Sequence, residues 1–241
     1  RRQRQMCIRD SPYPYSKYDQ VIVPDFNSGA MENVGAVTFN ERYVYRSKVT
    51  PDRKRGRADT IRHEMAHMWF GNLVTMRWWN GLWLNESFAT FMAATALDQA
   101  TSYGKAWQSF FSGMKQWAYW EDQLVTTHPI EVSVPDTDHA FANFDGITYG
   151  KGASVLKQLS FYLGEDDFKE GVQRYFVKYA YRNTALVDFM TMLSQASGTN
   201  LTLWQKSWLQ SSGVNTVRAD WACERGKVSR FSLRQSGSEI N

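Results

Sequence analysis

The stretch that decides the fold lies at residues 63–67 and reads His63-Glu64-Met65-Ala66-His67. On a helix, residues four apart lie about 40° from each other around the axis, so the two histidines share one face. Two imidazoles on one face can bind a single zinc ion, and they place Glu64 beside the metal as a general base. We interpret the stretch as the metal-binding helix of a zinc hydrolase.

The third metal ligand is predicted to be Glu86, which follows His67 by 86 − 67 = 19 positions. This length allows the helix to end, a loop to reverse, and a second helix to return a carboxylate to the metal. Glu86 begins an otherwise apolar helix, where a carboxylate is costly to bury without a cation. The alternative is a solvated helix with two unrelated histidines. Against it, the chain has only four histidines, and two of them form this pair.

The composition predicts a chain with a large core. Of its 241 residues, 43% are hydrophobic and 15% aromatic, which fits one large domain or two small ones with an aromatic-lined cleft. The net charge of +4 is mild and spread out, so nucleic acid is not an expected partner. No apolar run approaches the roughly 18 residues of a membrane span. Cys7 and Cys223 have no metal-ligand spacing and are predicted to be free thiols.

The first part of the chain is predicted to form a β-sheet. Short alternating or β-rich stretches predict strands at 18–24, 36–39 and 43–45, with a turn at 25–29.

The rest of the chain is predicted to be mainly helical. The zinc helix is expected to be capped at Asp59-Thr60 and to end at Gly71-Asn72, after a solvated basic turn at 53–57. The Glu86 helix should run to about residue 100, and a later stretch at 121–146 looks irregular. Further helices are predicted at 104–120, 151–163, 165–179, 186–196 and 203–209, and β-like pieces after 216.

A second informative stretch lies upstream and reads Gly29-Ala30-Met31-Glu32-Asn33. By itself it predicts a turn that contains glycine and leads into a strand, with a glutamate exposed at the surface beside it. Together with the histidine pair, which begins 63 − 32 = 31 positions after Glu32, it resembles the zinc aminopeptidases of the aminopeptidase N family. The resemblance continues through residues 69–75, 82–89 and 144–153, and the bacterial branch looks most similar.

The resemblance implies a role for each residue of the predicted site. His63, His67 and Glu86 would hold one zinc ion per chain, and Glu64 would activate the metal-bound water. Glu32 would bind the free α-amino group of a peptide. Tyr149 would donate a hydrogen bond to the tetrahedral oxyanion.

The strand before the zinc helix is implied to bind substrate as well. Met31 would line the pocket for the first side chain, with a core methionine as the structural alternative. The neighbouring Gly29, Ala30 and Asn33 would belong to a strand that pairs with the peptide backbone by strand addition.

The resemblance also implies the fold class and the domain organisation. We expect an α/β (α+β) fold with a thermolysin-like zinc peptidase domain at 13–216, β-sheet first and mainly helical after it. Residues 1–12 would be the tail of an upstream β-domain, and 217–241 the start of a following one. The expected partners are peptides with a free N-terminus and the flanking domains of a longer chain, one of which would complete the amine site. A cytoplasmic location is the starting expectation.

Other polar residues receive structural interpretations. His128 is expected to support a loop, and His139 to lie at the surface. Asp145 and Lys151 flank Tyr149 and either orient its loop or form a structural ion pair. Asn85 begins a glycosylation acceptor pattern that should be inaccessible, because its next residue is the predicted zinc ligand.

Three alternative functions remain open at this point. A zinc endopeptidase of thermolysin type would share the metal site without needing a free amine. An epoxide-hydrolysing relative is compatible with the same residues. A catalytically silent binding module would keep the fold alone.

Overall fold

The N-terminal part of the chain forms a small mixed sheet that faces the predicted zinc helix. The structure is a computed structural model and describes residues 11–237, so Cys7 and most of the predicted tail lie outside the described residues. Strands β1 (Asp19–Val23), β2 (Ala30–Met31) and β3 (Ala36–Asn40) lie in the order β1-β3-β2. β1 is parallel to β3, and β2 is antiparallel to it. Buried Val37 and Phe39 of β3 pack with Met68, which anchors the sheet beside the predicted zinc helix.

The strand predicted at 43–45 is wrong. Glu41–Tyr43 form a 3₁₀ turn instead, because the Asn40 side chain accepts a hydrogen bond from the Arg42 amide at 2.9 Å. An Asx cap of this kind offers the backbone an alternative to the sheet ladder.

The predicted zinc helix, α1, spans Pro51–Ala66 and is longer at its start than predicted. Its cap is Thr50, whose hydroxyl accepts from the Arg53 amide, and Pro51 occupies the first turn, where a missing N–H costs nothing. The predicted cap at Asp59-Thr60 is therefore wrong, and the basic stretch at 53–57 is helical. The helix also ends earlier than predicted, with His67 as its C-cap.

The central element of the core is α2 (Leu82–Ala100), in which 14 of 19 residues are buried. A helix that is buried nearly all round belongs in the middle of a layer. It follows β4 (Val74–Met76), which pairs in parallel with β5 (Arg182–Thr184). α1 packs along α2, so the residues of the two helices meet.

The remaining helices surround α2, and the helices predicted from the sequence are confirmed within a few residues. The elements are α3 (Ala106–Phe110), a π-helical turn (Phe111–Lys115), α4 (Gln116–Glu121), α5 (Thr137–Ala142), α6 (Gly152–Leu163), α7 (Glu165–Tyr179), α8 (Leu186–Ser197) and α9 (Thr202–Trp208). A second π-helical turn, at Ile147–Lys151, runs directly into α6. The predicted irregular stretch at 121–146 contains one short helix, α5.

The chain closes on an antiparallel hairpin of β6 (Thr216–Glu224) and β7 (Lys227–Ser236), which confirms the predicted β-like pieces. The hairpin leaves large apolar side chains such as Trp221 and Phe231 exposed, and Cys223 is a free thiol at its surface. The α/β class is thus confirmed, with the sheet first and the helices after it. Among the helices of the described part, none has the length and apolarity needed to cross a membrane.

Candidate active site

Three predicted ligand side chains meet between α1 and α2. His63 lies in the last turn of α1 and His67 caps it, while Glu86 lies one turn into α2. The two histidine Nε2 atoms are 3.0 Å apart. Glu86 Oε2 lies 3.2 Å from His63 Nε2 and 3.3 Å from His67 Nε2. The three atoms form a nearly equilateral triangle, and His67 and Glu86 are buried.

This triangle fits a zinc ion. In a tetrahedral zinc site with bonds of about 2.0–2.1 Å, two ligand atoms are separated by about 3.3 Å. The three separations observed here, 3.0, 3.2 and 3.3 Å, agree with that value. Two imidazoles and one carboxylate leave a fourth position for water, which is the ligand set of a catalytic rather than a structural site.

The outer hydrogen bonds of the two histidines leave their Nε2 atoms for the metal. His67 Nδ1 lies 3.0 Å from the Phe70 carbonyl, which can only accept, so Nδ1 carries the proton. His63 Nδ1 lies 3.4 Å from Thr90 Oγ1. Partners of this kind fix the tautomer and ring orientation of metal-binding histidines. Our sequence reasoning missed Thr90, although it lies four residues after Glu86 on the same helix face.

The charges in the cluster require a positive partner for Glu86. Burial alone would raise the pKa of Glu86, but His67 and His63 outweigh it and the pKa falls well below its usual range. Burial likewise opposes charge on His67, yet Glu86 raises the pKa of His67 to about 10. A buried carboxylate that stays ionised between two imidazoles suits a divalent cation.

Glu64 lies beside the triangle with one oxygen unused. It is buried, and its Oε2 atom has no hydrogen-bond partner among the described residues. Burial raises the pKa of Glu64 to about 7, against the pull of His63 and His67. Glu64 also forms a second possible metal set with Glu32 and His67. The Phe70 carbonyl occupies His67 Nδ1, which favours the set that uses Nε2 of both histidines.

Tyr149 projects from its π-helical turn onto the ligand cluster. Its ring stacks on His63 with 5.9 Å between centroids and 20° between planes, and the centroid of the Trp117 ring lies 6.2 Å from that of Tyr149. Burial, followed by the charges of Glu86 and the other carboxylates, raises the pKa of Tyr149 far above its usual range. The phenol therefore keeps its proton and can donate it.

The turn that carries Tyr149 lies unusually close to α2. Ser87, the neighbour of Glu86, donates a hydrogen bond from Oγ to the Thr148 carbonyl at 2.5 Å. A Cβ atom on Gly152 would lie 2.0 Å from Ser87 Oγ. Only glycine fits at position 152, so the approach of Tyr149 to the Glu86 helix depends on the missing side chain.

Glu32 follows β2 and faces the site from the sheet. Its Oε1 lies 3.8 Å from His67 Nδ1, and its carbonyl accepts from Asn72 Nδ2 at 2.8 Å. Met31 is 43% exposed, so the alternative of a core methionine is wrong.

The strand β2 keeps one edge unpaired within the described residues, because β3 covers only its other edge. Ala30 and Met31 pair with β3, Gly29 accepts from the Asn40 amide at 2.9 Å, and Asn33 accepts from the Ala36 amide.

The other polar residues lie outside the cluster. His128 binds Asp145 at 2.9 Å, in agreement with a loop-supporting role, and His139 is exposed. The alternative of a structural ion pair holds for Lys151, which pairs with the buried Asp122 at 2.8 Å. Asn85, Glu86 and Ser87 are all buried, which confirms that the acceptor pattern is inaccessible.

Comparison with known proteins gives a consistent family. Residues 8–208 match the model of the peptidase family M1 domain. Aminopeptidase N of Streptomyces lividans is 52% identical over 96% of this chain and 27% of its own length. Tricorn protease-interacting factor F2 of Thermoplasma volcanium is 41% identical over 95% of this chain and 30% of its own length.

A third relative, leucyl aminopeptidase of Saccharolobus solfataricus, is 39% identical over 92% of this chain and 29% of its own length. The chain thus spans less than a third of the length of these relatives.

Proposed function

The chain belongs to peptidase family M1, and from this membership and the site geometry we propose that the whole protein is a zinc-dependent aminopeptidase. The observation that carries the proposal is the position of Glu32. Its carboxylate lies 3.8 Å from a ligand histidine, at the end of a strand with a free edge. A negative charge so close to the metal marks where the positive end of a peptide would stop.

His63, His67 and Glu86 would hold the zinc, which supplies a Lewis acid and a water molecule acidic enough to react near neutral pH. Glu64 would take a proton from the attacking water through its free, buried oxygen and would pass it to the leaving amine. Its pKa of about 7 matches this double task, since the carboxyl must both accept and give a proton.

Tyr149 stabilises the negative charge that develops on the carbonyl oxygen of the first peptide bond. Its phenol remains protonated because it is buried among carboxylates. The stacking on His63 and the flanking Trp117 restrict the motion of the ring. A neutral donor held in place before the reaction costs no reorganisation when charge appears.

Glu32 binds the α-amino group, and the strand next to it binds the peptide backbone. The free edge of β2 can accept a peptide as an added strand, which uses main-chain groups and so tolerates many sequences. The exposed Met31 side chain is available to contact the first side chain of the substrate. Gly29, Ala30 and Asn33 hold this strand against β3.

A flanking domain is proposed to complete the amine site, since the relatives are more than three times as long as this chain. The position of Glu32 favours this exopeptidase over the thermolysin-type endopeptidase, which needs no acidic residue at the substrate end. No observation favours epoxide hydrolysis or a silent binding module. The cytoplasmic location stays a prediction.

The test uses the whole protein, with all sequence that flanks these 241 residues. Leucine amide and N-acetyl-leucine amide are offered as a matched pair, and the zinc content is measured on the same sample. We expect one zinc per chain and cleavage of the free-amine substrate, with the acetylated one cleaved at least about 100-fold more slowly, as expected when a buried charge-assisted hydrogen bond is lost. Equal cleavage of both would overturn the aminopeptidase proposal in favour of the endopeptidase.

A further inference from the structure

We propose that Asp145 and His128 form a positioning pair that holds the phenol of Tyr149 in its place over the ligand cluster. The proposal rests on the proposed function, because it assigns Tyr149 the role of oxyanion donor. It adds two residues that touch neither the metal ligands nor the phenol. They act through the backbone of the π-helical turn at Ile147–Lys151.

The first step is the set of hydrogen bonds between Asp145 and this turn. Asp145 Oδ1 accepts from the amides of Ile147 and Thr148, at 3.0 and 2.9 Å. The Asp145 carbonyl accepts from the Tyr149 amide at 3.0 Å. One residue thus binds three successive N–H groups, including that of Tyr149. Because these groups would otherwise lack partners at the start of a helical segment, Asp145 fixes where the turn begins.

The second step is the hydrogen bond between His128 and the side chain of Asp145. His128 Nε2 lies 2.9 Å from Asp145 Oδ2, and His128 Nδ1 lies 2.7 Å from the Pro129 carbonyl. Both ring nitrogens face oxygen acceptors, which favours protonation of both nitrogens and a positive charge on the ring. Burial opposes this charge, but the hydrogen bonds to Asp145 and Pro129 outweigh it and raise the pKa of His128. His128 therefore holds the Asp145 carboxylate in one orientation through Oδ2, while Oδ1 faces the turn.

The third step is that this pair controls the angle of the ring rather than the survival of the turn. The turn keeps other anchors. Glu121 accepts from the Gly146 amide, and Lys151 pairs with the buried Asp122. Ser87 still binds the Thr148 carbonyl. Loss of the Asp145 side chain would release the amides of Ile147 and Thr148, the two residues before Tyr149, while these contacts and the Asp145 carbonyl keep the segment folded.

His128 offers a pair of matched variants. Glutamine places its amide nitrogen close to the position of histidine Nε2, whereas asparagine places it close to that of Nδ1. H128Q therefore keeps the donor to Asp145, and H128N keeps only the donor to Pro129. The two changes are similar in size and polarity and differ in the one contact that the proposal needs.

The experiment measures kcat and KM of the whole protein on leucine amide. We expect Asp145→Ala and H128N to lower kcat by about 10-fold to 100-fold with little change in KM, as a displaced catalytic group would. H128Q should restore most of the loss. In the background of Tyr149→Phe, neither D145A nor H128N should lower kcat further, because the group that they position is already gone.

A merely structural role gives a different pattern. If D145A or H128N lowers kcat by the same factor with and without the Tyr149 hydroxyl, the proposal is overturned. Equal effects of H128Q and H128N on kcat would also overturn it. Asp188→Asn is the matched control. Asp188 also accepts a backbone amide at a helix start, that of Ala185 at 2.8 Å, but lies at α8, away from the site. It should lower the melting temperature and leave kcat unchanged.

A crystal structure of D145A separates this proposal from the proposed function. If the native protein fails to cleave leucine amide, the aminopeptidase proposal fails, and the position of the Tyr149 ring still tests the pair. A ring displaced from its 5.9 Å stack on His63 supports the positioning role. A ring that stays in place in D145A overturns it.

Discussion

The helical side of the candidate site is buried and closed, whereas the strand that faces it is exposed and open. On the helical side, Glu64, His67 and Glu86 are all less than 7% exposed. On the strand side, Met31 is 43% exposed and β2 has a free edge in the described part of the chain. In the proposed function, the buried side is complete without substrate, and the open side would obtain its missing partner from the peptide.

The difference corresponds to two requirements of the proposed reaction, which are preorganised charges and an accessible binding edge. Groups that must be charged, oriented and dry before the reaction lie on helices that the core holds rigidly. Groups that, in the proposed function, would admit many peptides lie on an edge strand, where the backbone would bind them. Changes on the helical side should therefore alter metal content or kcat with every substrate. Changes on the strand side should alter KM, and only for substrates with a free amine.

The largest expected effect follows from Glu86→Gln, which removes the charged ligand and keeps its size. A neutral amide is a poor zinc ligand, so we expect zinc affinity to fall by more than about 100-fold, the upper range for losses in the surrounding shell. Activity should fall to the background of the assay. Zinc per chain is measured by elemental analysis after dialysis. A full zinc content in E86Q would remove Glu86 from the ligand set.

Glu64→Gln should have the next largest effect and should leave the metal in place. The loss of a general base lowers kcat by about 10²–10⁴-fold. Glu64 is not one of the three triangle atoms, so zinc per chain should match the native protein. Elemental analysis and steady-state kinetics on leucine amide check both halves. If E64Q loses its zinc, then Glu64 is a ligand and the second set with Glu32 and His67 must be reconsidered.

Tyr149→Phe tests a group that lies between the two sides. Removal of one oxyanion donor lowers kcat by about 10²–10³-fold. KM should change little, because the phenol contacts the oxyanion more strongly than the ground-state carbonyl. Steady-state kinetics with saturating leucine amide give both constants. An unchanged kcat would exclude Tyr149 from the mechanism.

Glu32→Gln should have the smallest effect, and it tests whether the strand side binds the substrate amine. A lost hydrogen bond to a charged amine costs about 1.5–3 kcal/mol, which corresponds to roughly 10-fold to 100-fold in KM. Zinc content should be unchanged. The same variant is assayed on a blocked peptide, where no amine is present and no further loss is expected. An equal loss of activity on both substrates would mean that Glu32 acts on the helical side of the site and not on the substrate amine.

The sequence predicts the helical side well because its rules are local. Two histidines four residues apart must share a helix face, and a glutamate 19 positions later needs only one reversal of the chain to reach them. The structure brings their three ligand atoms within 3.3 Å of one another. Glu32 and Tyr149 could be predicted only through the family resemblance, since nothing in their spacing alone brings them to the site.

The start of the zinc helix was missed because its first turns carry no apolar signal. The stretch at 53–57 is basic and largely exposed, so helical periodicity becomes visible only at Ile61, close to Asp59-Thr60. The cap signal of Thr50 followed by Pro51 was available in the sequence. The strand predicted at 43–45 failed for a related reason. Its tyrosine rings meet arginine side chains, as in Arg57 over Tyr45 at 4.5 Å, rather than a sheet neighbour.

The pair of His128 and Asp145 could not be predicted, because the two residues lie 17 positions apart in a stretch without a regular period. Only the fold of the loop before α6 brings them together. The same holds for Lys151 and Asp122, which are 29 positions apart.

The contact at Gly152 has a consequence for exchanging parts between related proteins. A Cβ atom at position 152 would collide with Ser87 Oγ. The segment that carries Tyr149 therefore packs against the helix that carries Glu86 without room for even one methyl group. A chimera that takes only one of the two segments from a relative with a bulkier residue at either surface would separate the phenol from the metal. The two segments therefore form one transferable unit, although more than sixty residues of chain lie between Ser87 and Gly152.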